Sequence, residues 1–129
     1  MDNIKKEMLA IYRPISDMDW MNYKLVKKDV TFHHIQKKVD KGRKDVENGA
    51  LLMPVAHEYL HLIERCDIDR YVFINKLFRS INEQRSEPTR SQREVMEYLL
   101  KEFERIHKWD KDRKGRLLVK RKYIERCFY

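Results

Sequence analysis

Residues 30–64 read VTFHHIQKKVDKGRKDVENGALLMPVAHEYLHLIE, and this stretch decides the fold. The β-branched and aromatic run VTFHHI is typical of a strand, and ALLM at residues 50–53 is typical of a second, shorter strand. Pro54 stands where proline favours the first turn of a helix, and VAHEYLHLIER continues that helix. The stretch therefore predicts a β-hairpin with a charged loop, followed by a helix.

Apolar residues at helical spacing predict further helices on both sides of this unit. Residues 2–12 are expected to form a short helix that ends before Pro14. Two more helices are expected after CDID, with NEQRSEP as the linker between them and a capping box of Thr89 and Gln92 opening the second. Their core-facing residues are predicted to be Ile74, Leu77, Phe78 and Ile81 in the first and Val95, Leu99, Phe103 and Ile106 in the second.

The composition agrees with one mainly helical domain. The 129 residues are 42% hydrophobic and 39% charged, which is typical of a charge-rich globular protein and not of a disordered polymer. Three glycines and three prolines favour helices over a many-turned β sandwich. We predict an α+β, mainly helical fold in a single domain, 1–129, with a hairpin-plus-helix core at 24–66 and a helical, basic extension at 67–129.

The charge and cysteine content indicate the class of partner and the compartment. A formal net charge of +8 suits a polyanion, nucleic acid first and an anionic membrane second, although solubility alone also accounts for it. Cys66 and Cys127 are too far apart for a zinc knuckle, and they favour a reducing cytosol. The stretch MDNIKKEMLAIYRP has no long apolar run after its lysines and does not resemble a signal peptide, and no stretch approaches the roughly 18 apolar residues of a membrane span. We expect a cytoplasmic protein that does not enter membranes.

Four of the five histidines fall within 29 residues: His33, His34, His57 and His61. In a strand, His33 and His34 must point to opposite faces, whereas His57 and His61, at i and i+4 of a helix, share one face. If the hairpin packs against that helix, one of the first pair completes a three-histidine site. Three nitrogen ligands with one open position are typical of a catalytic metal site.

The order of these residues resembles a known family. Two adjacent histidines, thirteen residues, Asn48, eight residues, His57, three residues and His61 are similar to the ββα-metal motif (His-Me finger) of HNH endonucleases. The spacing is closest to that of the colicin-type nucleases, and the resemblance covers about residues 30–64. It implies a metal-dependent endonuclease that hydrolyses phosphodiester bonds of DNA, with RNA as a possible substrate.

The resemblance also implies a role for each matched residue. His33, His57 and His61 would be the metal ligands, and His34 would be the general base that takes a proton from the attacking water. Asn48 would brace the loop between the strands and help to orient that base. A histidine with a pKa near 6.5 suits this proton transfer, and a divalent ion stabilises charge on the phosphate and on the leaving 3′ oxygen.

The implied cofactor is one divalent metal ion. Histidine nitrogens favour zinc, nickel or manganese over magnesium, and the family resemblance leaves all four open. Basic side chains are expected to hold the DNA backbone, with a solvated surface or tail as the alternative for the carboxy-terminal group. These are Lys37, Lys38, Arg43, Lys111, Arg113, Lys114, Arg116, Lys120, Arg121 and Lys122.

The sequence departs from the family pattern in three places. The loop contains the single Gly42 where many members have two adjacent glycines, and the chain has no C-x-x-C pairs for a structural zinc. Thr31 and Phe32 precede the histidines where some relatives carry an acidic or other polar residue that steadies the site. A degenerate HNH-type protein that binds nucleic acid or a protein partner, as an accessory or inhibitor, is therefore the second hypothesis.

A zinc peptidase is the third hypothesis, because HEYLH at residues 57–61 has the form HExxH, with Glu58 as the general base. The extended form of that motif requires glycine at residue 64 and histidine at residue 67, where Glu64 and Asp67 stand. A downstream glutamate such as Glu83 or Glu94 stays open as the third ligand. The peptidase reading also leaves His33 and the rest of the HNH pattern unexplained. A homodimer is a further possibility if the apolar stripe of the last helix forms a seam with a partner helix.

Overall fold

The computed structural model describes the backbone of residues 2–12 and 15–114 and the side chains of residues 2–12 and 15–107. Within these ranges the chain is α+β and mainly helical, as predicted, with a two-stranded antiparallel sheet. The elements are α1 (Asn3–Tyr12), β1 (Thr31–His34), β2 (Gly49–Leu52), α2 (Pro54–Cys66), α3 (Ile68–Gln84) and α4 (Arg90–Lys114). No helix of the described part is long and apolar enough to cross a membrane.

The predicted hairpin is present, and its register sets the faces of both strands. His33 pairs with Ala50 and His34 with Gly49. A Cβ added at Gly49 would lie 2.7 Å from Met8 Sδ, so a side chain at this position would push α1 away from the sheet. The strand β2 begins at Gly49, one residue before the predicted ALLM run. The absence of a side chain at this glycine lets α1 approach the sheet.

The helix α2 begins at Pro54, as predicted, and a residue distant in sequence holds its start. The carboxylate of buried Asp19 accepts hydrogen bonds from the backbone N–H groups of Met21, Tyr23 and Met53. Met53 directly precedes Pro54, and its N–H lies 2.7 Å from Asp19 Oδ2. The first N–H groups of a helix have no acceptor within the helix. Asp19 therefore provides the acceptor for the N–H of Met53 from outside the helix.

Asp19 is expected to make the protein less stable as the pH rises from about 4 to about 7. Burial raises the pKa of Asp19 from 3.8 to about 6, against the opposing hydrogen bonds from Met53, Tyr23 and Met21. The folded state thus binds the proton more tightly than the unfolded chain. This stabilisation is complete below about pH 4 and is lost as the pH rises through about 6. The total loss in unfolding free energy is about 3 kcal/mol.

Urea unfolding of the wild type and of Asp19→Asn at several pH values measures this effect, because the variant cannot ionise at residue 19. We expect the difference in unfolding free energy, wild type minus variant, to fall by about 3 kcal/mol between pH 4 and pH 7. All other titrating groups cancel in this difference. A difference that stays constant or grows with pH contradicts the prediction.

Two helix starts follow the predicted chemistry. The Asp67 side chain accepts from the N–H of Arg70, 3.1 Å away, and so caps α3 where the sequence CDID predicted a break. At the start of α4, Thr89 N–H donates to Gln92 Oε1 at 2.8 Å, and Gln92 N–H donates to Thr89 Oγ1 at 3.2 Å. This reciprocal pair is the predicted capping box.

The end of α3 and the loop that follows it differ from the prediction. The helix continues to Gln84, so the first three residues of the predicted linker NEQRSEP are helical. Asn82 is buried, and its amide donates to the carbonyl oxygens of Val46 and Gly49 at 2.7 and 2.8 Å. These long-range hydrogen bonds hold the last turn of α3 against the hairpin, and local sequence signals did not reveal them.

The predicted core stripe of α4 is partly wrong. Val95 and Ile106 are exposed, and the buried residues of the described helix are Met96, Leu99, Leu100 and Phe103. The helix is thus rotated by about one residue from the prediction, because apolar residues lie on both candidate faces. The face turned inward is the one that meets α2, where the ring of Tyr59 lies 5.7 Å from that of Phe103. Tyr59 therefore packs on α4.

Candidate functional site

Strand alternation separates the two adjacent histidines, as predicted. Thr31 and His33 lie on the face of β1 that meets α2 and α3, where the His33 ring contacts His57. Phe32 and His34 lie on the opposite face, with their rings in edge contact at 4.9 Å. The hairpin therefore presents His33 and His34 to different surroundings.

The three predicted metal ligands lie in a row. The His33 and His57 rings are perpendicular, with centroids 5.4 Å apart, and the His57 and His61 rings are stacked at 4.9 Å. His33 is 3% exposed, whereas the His61 side chain is half exposed. We call these three side chains the histidine row; it runs from the interior to the surface along α2.

Thr31 sets the tautomer of His57. Its hydroxyl donates to the Leu52 carbonyl oxygen at 2.6 Å, and His57 Nδ1 lies 3.0 Å from the same Oγ1. Because a hydroxyl has one hydrogen, the Thr31 oxygen must accept from Nδ1–H, which leaves the lone pair of His57 on Nε2. Burial, followed by the charges of His61 and His34, lowers the pKa of His57 and favours this neutral form.

His33 is held by an amide from α3. Its Nε2 lies 2.8 Å from Asn75 Oδ1, and the Asn75 side chain also hydrogen-bonds the Tyr71 hydroxyl. With the amide oxygen facing the ring, Nε2 carries the hydrogen and the lone pair is on Nδ1. Burial lowers the pKa of His33 to about 4 despite the opposing bond to Asn75, so this ring is neutral at physiological pH.

His61, at the surface end of the histidine row, faces an acidic partner. Its Nδ1 lies 3.4 Å from Glu64 Oε1, and Glu64 also pairs with the ammonium group of Lys37. Burial alone would raise the pKa of Glu64, but the hydrogen bonds from Lys37 and His61 outweigh it and hold that pKa below its usual range. The carboxylate therefore orients His61 and ties the loop after β1 to α2.

His34, the predicted general base, is only half-buried and stands close to basic side chains. Burial, followed by the nearby charges of Lys38 and Lys44, lowers the pKa of His34. A lowered pKa keeps the imidazole neutral at physiological pH, and the neutral form is the one that accepts a proton. The environment of His34 thus agrees with the role that the resemblance implies.

Asn48 joins the two ends of the loop between the strands. Its Oδ1 accepts from the N–H of Gln36 at 2.7 Å, while its Nδ2 donates to the carbonyl oxygens of Gln36 and Arg43, both at 2.9 Å. Arg79 of α3 supports it by donating to Asn48 Oδ1 at 3.4 Å and to the Glu47 carbonyl oxygen at 2.7 Å. Asn48 thus braces the loop through Gln36 and Arg43, and its help in orienting His34 stays a prediction.

A divalent metal fits the donor chemistry of the histidine row at two of its three members. His57 and His61 each have an oxygen partner at Nδ1, the arrangement that metal-binding histidines use to present Nε2. At His33 the ligand would have to be Nδ1, or Asn75 would have to release Nε2. No three His, Cys, Asp or Glu side chains among the described residues are arranged as a metal site.

The predicted DNA contacts divide into three groups. Lys38 and Arg43 are exposed on the loop between the strands. Lys37 is exposed as well, but its ammonium group pairs with Glu64. The remaining side chains lie outside the described residues; they are Lys111, Arg113, Lys114, Arg116, Lys120, Arg121 and Lys122.

The positions that matter for the peptidase hypothesis are occupied by side chains with contacts of their own or by an exposed one. Glu58 is exposed on α2. Glu64 pairs with Lys37, and Asp67 caps α3. His107 lies 4.0 Å from Asp67, and its ring contacts Phe103. Glu64 contacts His61, but its carboxylate is already paired with Lys37.

The side chains that orient the histidines do not follow from the motif. Thr31 departs from the family pattern, and yet it holds His57. Asn75 carried a usable signal, since it is a polar residue four positions after buried Tyr71 and three before buried Phe78. A polar residue at such a core-facing position has to meet a polar partner, which here is His33.

Comparisons with known proteins do not add to this picture. No protein-family model matches the chain, and neither the curated proteins nor the solved structures contain a significant match.

Proposed function

We propose that this chain is a metal-dependent HNH-type endonuclease that hydrolyses phosphodiester bonds of DNA. The observation that carries the proposal is the ring-to-ring row of His33, His57 and His61 inside a hairpin-plus-helix unit, with His34 on the opposite face of the same strand. A base and a group of nitrogen donors thus arise from one short segment, in the order that the family resemblance requires.

The side chains divide the chemistry between them. His34, kept neutral by its lowered pKa, accepts the proton of the attacking water. Asn48 holds the strand end and loop beside it. His57 and His61 would hold a divalent ion of zinc, manganese, nickel or magnesium through Nε2, with His33 as the third donor. Such an ion would stabilise the charge that develops on the phosphate and on the leaving oxygen.

The basic balance of the chain supports a nucleic-acid substrate. The net charge of +8 favours binding to a phosphate backbone, and Lys38 and Arg43 project from the loop next to His34. Contacts of this kind provide affinity without reading base sequence, so we expect low sequence specificity.

Conversion of supercoiled plasmid to nicked and linear forms tests the proposal. The full-length protein is assayed as purified, after EDTA treatment, and after addition of each of the four metals. Activity that EDTA abolishes and a metal restores supports the proposal. An RNA substrate assayed in parallel decides between the two nucleic acids. Plasmid that stays intact with every metal, in the presence of proven metal binding, contradicts it.

One observation favours a second candidate, a degenerate HNH-type protein that binds without cleaving. His33 is almost fully buried, and its Nε2 is already bound to Asn75. A third ligand held in this way would make the metal site incomplete. This candidate predicts DNA or protein binding with no nicking, so the plasmid assay separates it from the nuclease.

Thr31→Val is expected to weaken Zn²⁺ binding by about 10- to 100-fold, because partners that orient a ligating histidine typically contribute that much affinity. The variant removes the oxygen that accepts from His57 Nδ1–H but keeps the β-branched shape suited to the strand. The matched control is Thr31→Ser, which retains the hydroxyl. Competition with a chromophoric chelator measures both affinities, and equal affinities for the two variants would show that Thr31 does not orient His57.

A further inference from the structure

We propose that a groove beside the histidine row binds the phosphate backbone of the nucleic acid that the site cleaves. The groove, termed here the α3 groove, lies between residues 35–40 and the outer face of α3, with Glu64 of α2 at its edge. The choice of ligand rests on the proposed function, but binding can be measured without cleavage.

The α3 groove has the size of a ligand site. Its volume is about 480 Å³, within the usual range of roughly 300–1,000 Å³ for binding pockets. Two rows of side chains at helical spacing form its α3 wall. One row is Ile68, Val72 and Lys76, and the other is Tyr71, Asn75 and Arg79. The groove therefore runs along the helix for more than two turns.

Two residues that line the groove contact members of the histidine row. Asn75 lines the groove and binds His33 Nε2 at 2.8 Å. Glu64 also lines it and lies 3.4 Å from His61 Nδ1. A ligand in the groove would thus be one side chain away from two of the three histidines.

The charges of the groove fit an anionic, partly apolar ligand. The Lys37–Glu64 pair is internally neutral, which leaves Lys76 and Arg79 facing the groove against Asp40 alone. The guanidinium group of Arg79 uses two N–H donors for Asn48 and Glu47, and others of its five remain for a phosphate.

The apolar part of the wall suits the sugar and base of a nucleotide. Ile68 and Val72 are 56% and 45% exposed, so half of their surface faces solvent at the groove. The cations Lys76 and Arg79 lie at one end of the α3 wall, and Ile68 and Val72 lie at the other. This arrangement suits a nucleic-acid strand, in which a charged phosphate is followed by apolar sugar and base faces. An acidic protein is the competing ligand, and the net charge of +8 is compatible with both.

Arg79 also connects the groove to the loop between β1 and β2. The same guanidinium that faces the groove donates to Asn48, which closes the loop next to His34. Substitution of Arg79 would therefore disturb two functions at once. Lys76 lines the groove without a described contact to the histidines or the loop, so it is the residue to change in a binding test.

Fluorescence anisotropy of a labelled 20-base-pair duplex tests the proposal with the full-length chain in EDTA, which prevents cleavage. Lys76→Gln is expected to weaken binding several-fold and to reduce the slope of log K against log salt by about 1, as expected for one lost phosphate contact. Lys6→Gln is the matched control, since Lys6 is an exposed lysine of α1 outside the groove. Equal affinity and slope for the two variants would overturn the proposal.

Cross-linking locates the nucleic acid directly. A photoreactive group is attached to Val72→Cys in a background of Cys66→Ser and Cys127→Ser, with Val95→Cys on the exposed side of α4 as the control. We expect cross-links to the duplex from position 72 at least several times more often than from position 95. Cross-linking at the control level overturns the proposal. Lys76-dependent binding of polyglutamate but not of the duplex also overturns it and assigns the groove to an acidic protein.

The outcomes separate this inference from the nuclease proposal. Lys76-dependent binding and cross-linking by a protein that never nicks plasmid would support the groove and refute the nuclease. Metal-dependent nicking with binding that is independent of Lys76 would support the nuclease and refute the groove.

Discussion

Replacement of His34 by alanine is expected to lower metal-dependent plasmid nicking by about 100- to 10,000-fold, the usual contribution of a general base. In our proposal this imidazole takes the proton from the attacking water. Its lowered pKa and its position beside the loop that Asn48 closes both support that role. The expected loss is in turnover, with metal binding unchanged, because His34 lies on the other face of the strand from His57.

Glu58→Ala is the matched control for this experiment. Glu58 is exposed on α2 between the two histidines of HEYLH, and it would be the base of a zinc peptidase. We expect the Glu58 variant to retain nicking activity. A nuclease that loses activity with Glu58→Ala and keeps it with His34→Ala would refute our assignment, and casein cleavage that depends on Glu58 would establish the peptidase. Thermal melting of both variants shows whether either change has merely unfolded the protein.

Phe78→Ala is expected to lower the free energy of unfolding by about 3–5 kcal/mol, the usual cost of deleting a buried aromatic side chain. Phe78 is fully buried in α3, with its ring 6.0 Å from that of Trp20 and 5.7 Å from that of His33. The truncation would leave a cavity directly behind His33. Because domains of this size are stable by only about 5–15 kcal/mol, a large fraction of the protein would unfold on mild heating.

Phe73→Ala provides a control of the same residue type in the same helix. Phe73 is 52% exposed, so its loss should change the unfolding free energy by less than about 0.5 kcal/mol. Urea or guanidinium unfolding at pH 7 measures both variants, and a partial loss is expected for Phe78→Leu. If Phe73→Ala were as destabilising as Phe78→Ala, the described packing of α3 would be wrong.

Local sequence signals were sufficient for the elements that carry the histidines. Strand-forming residues predicted β1, and Pro54 predicted the start of α2, because both preferences act within a few residues along the chain. The capping box at Thr89 and Gln92 is likewise a contact between residues three apart. For the same reason, the opposite directions of His33 and His34 followed from the two-residue period of a strand alone.

Local sequence signals did not predict the side-chain hydrogen bonds between residues far apart in the sequence. Asp19 reaches Met53, and Asn75 reaches His33, over separations of 34 and 42 residues. Their partners depend on how α2, α3 and the hairpin pack, and nothing in the neighbouring residues specifies that packing. The face of α4 is undecided by the sequence for a related reason, because apolar residues lie on two sides of the helix. Packing against the rest of the fold, including the contact of Phe103 with Tyr59, selects one of them.

By itself, the sequence determined the hairpin, the helix that follows it, and the pairing of His57 with His61 on one face of that helix. Periodicity and turn chemistry suffice for these features, since they are properties of short segments. The tertiary structure decided which nitrogen each histidine presents. Thr31 leaves Nε2 of His57 available, and Asn75 occupies Nε2 of His33, because the strand and α3 bring those oxygens to the rings.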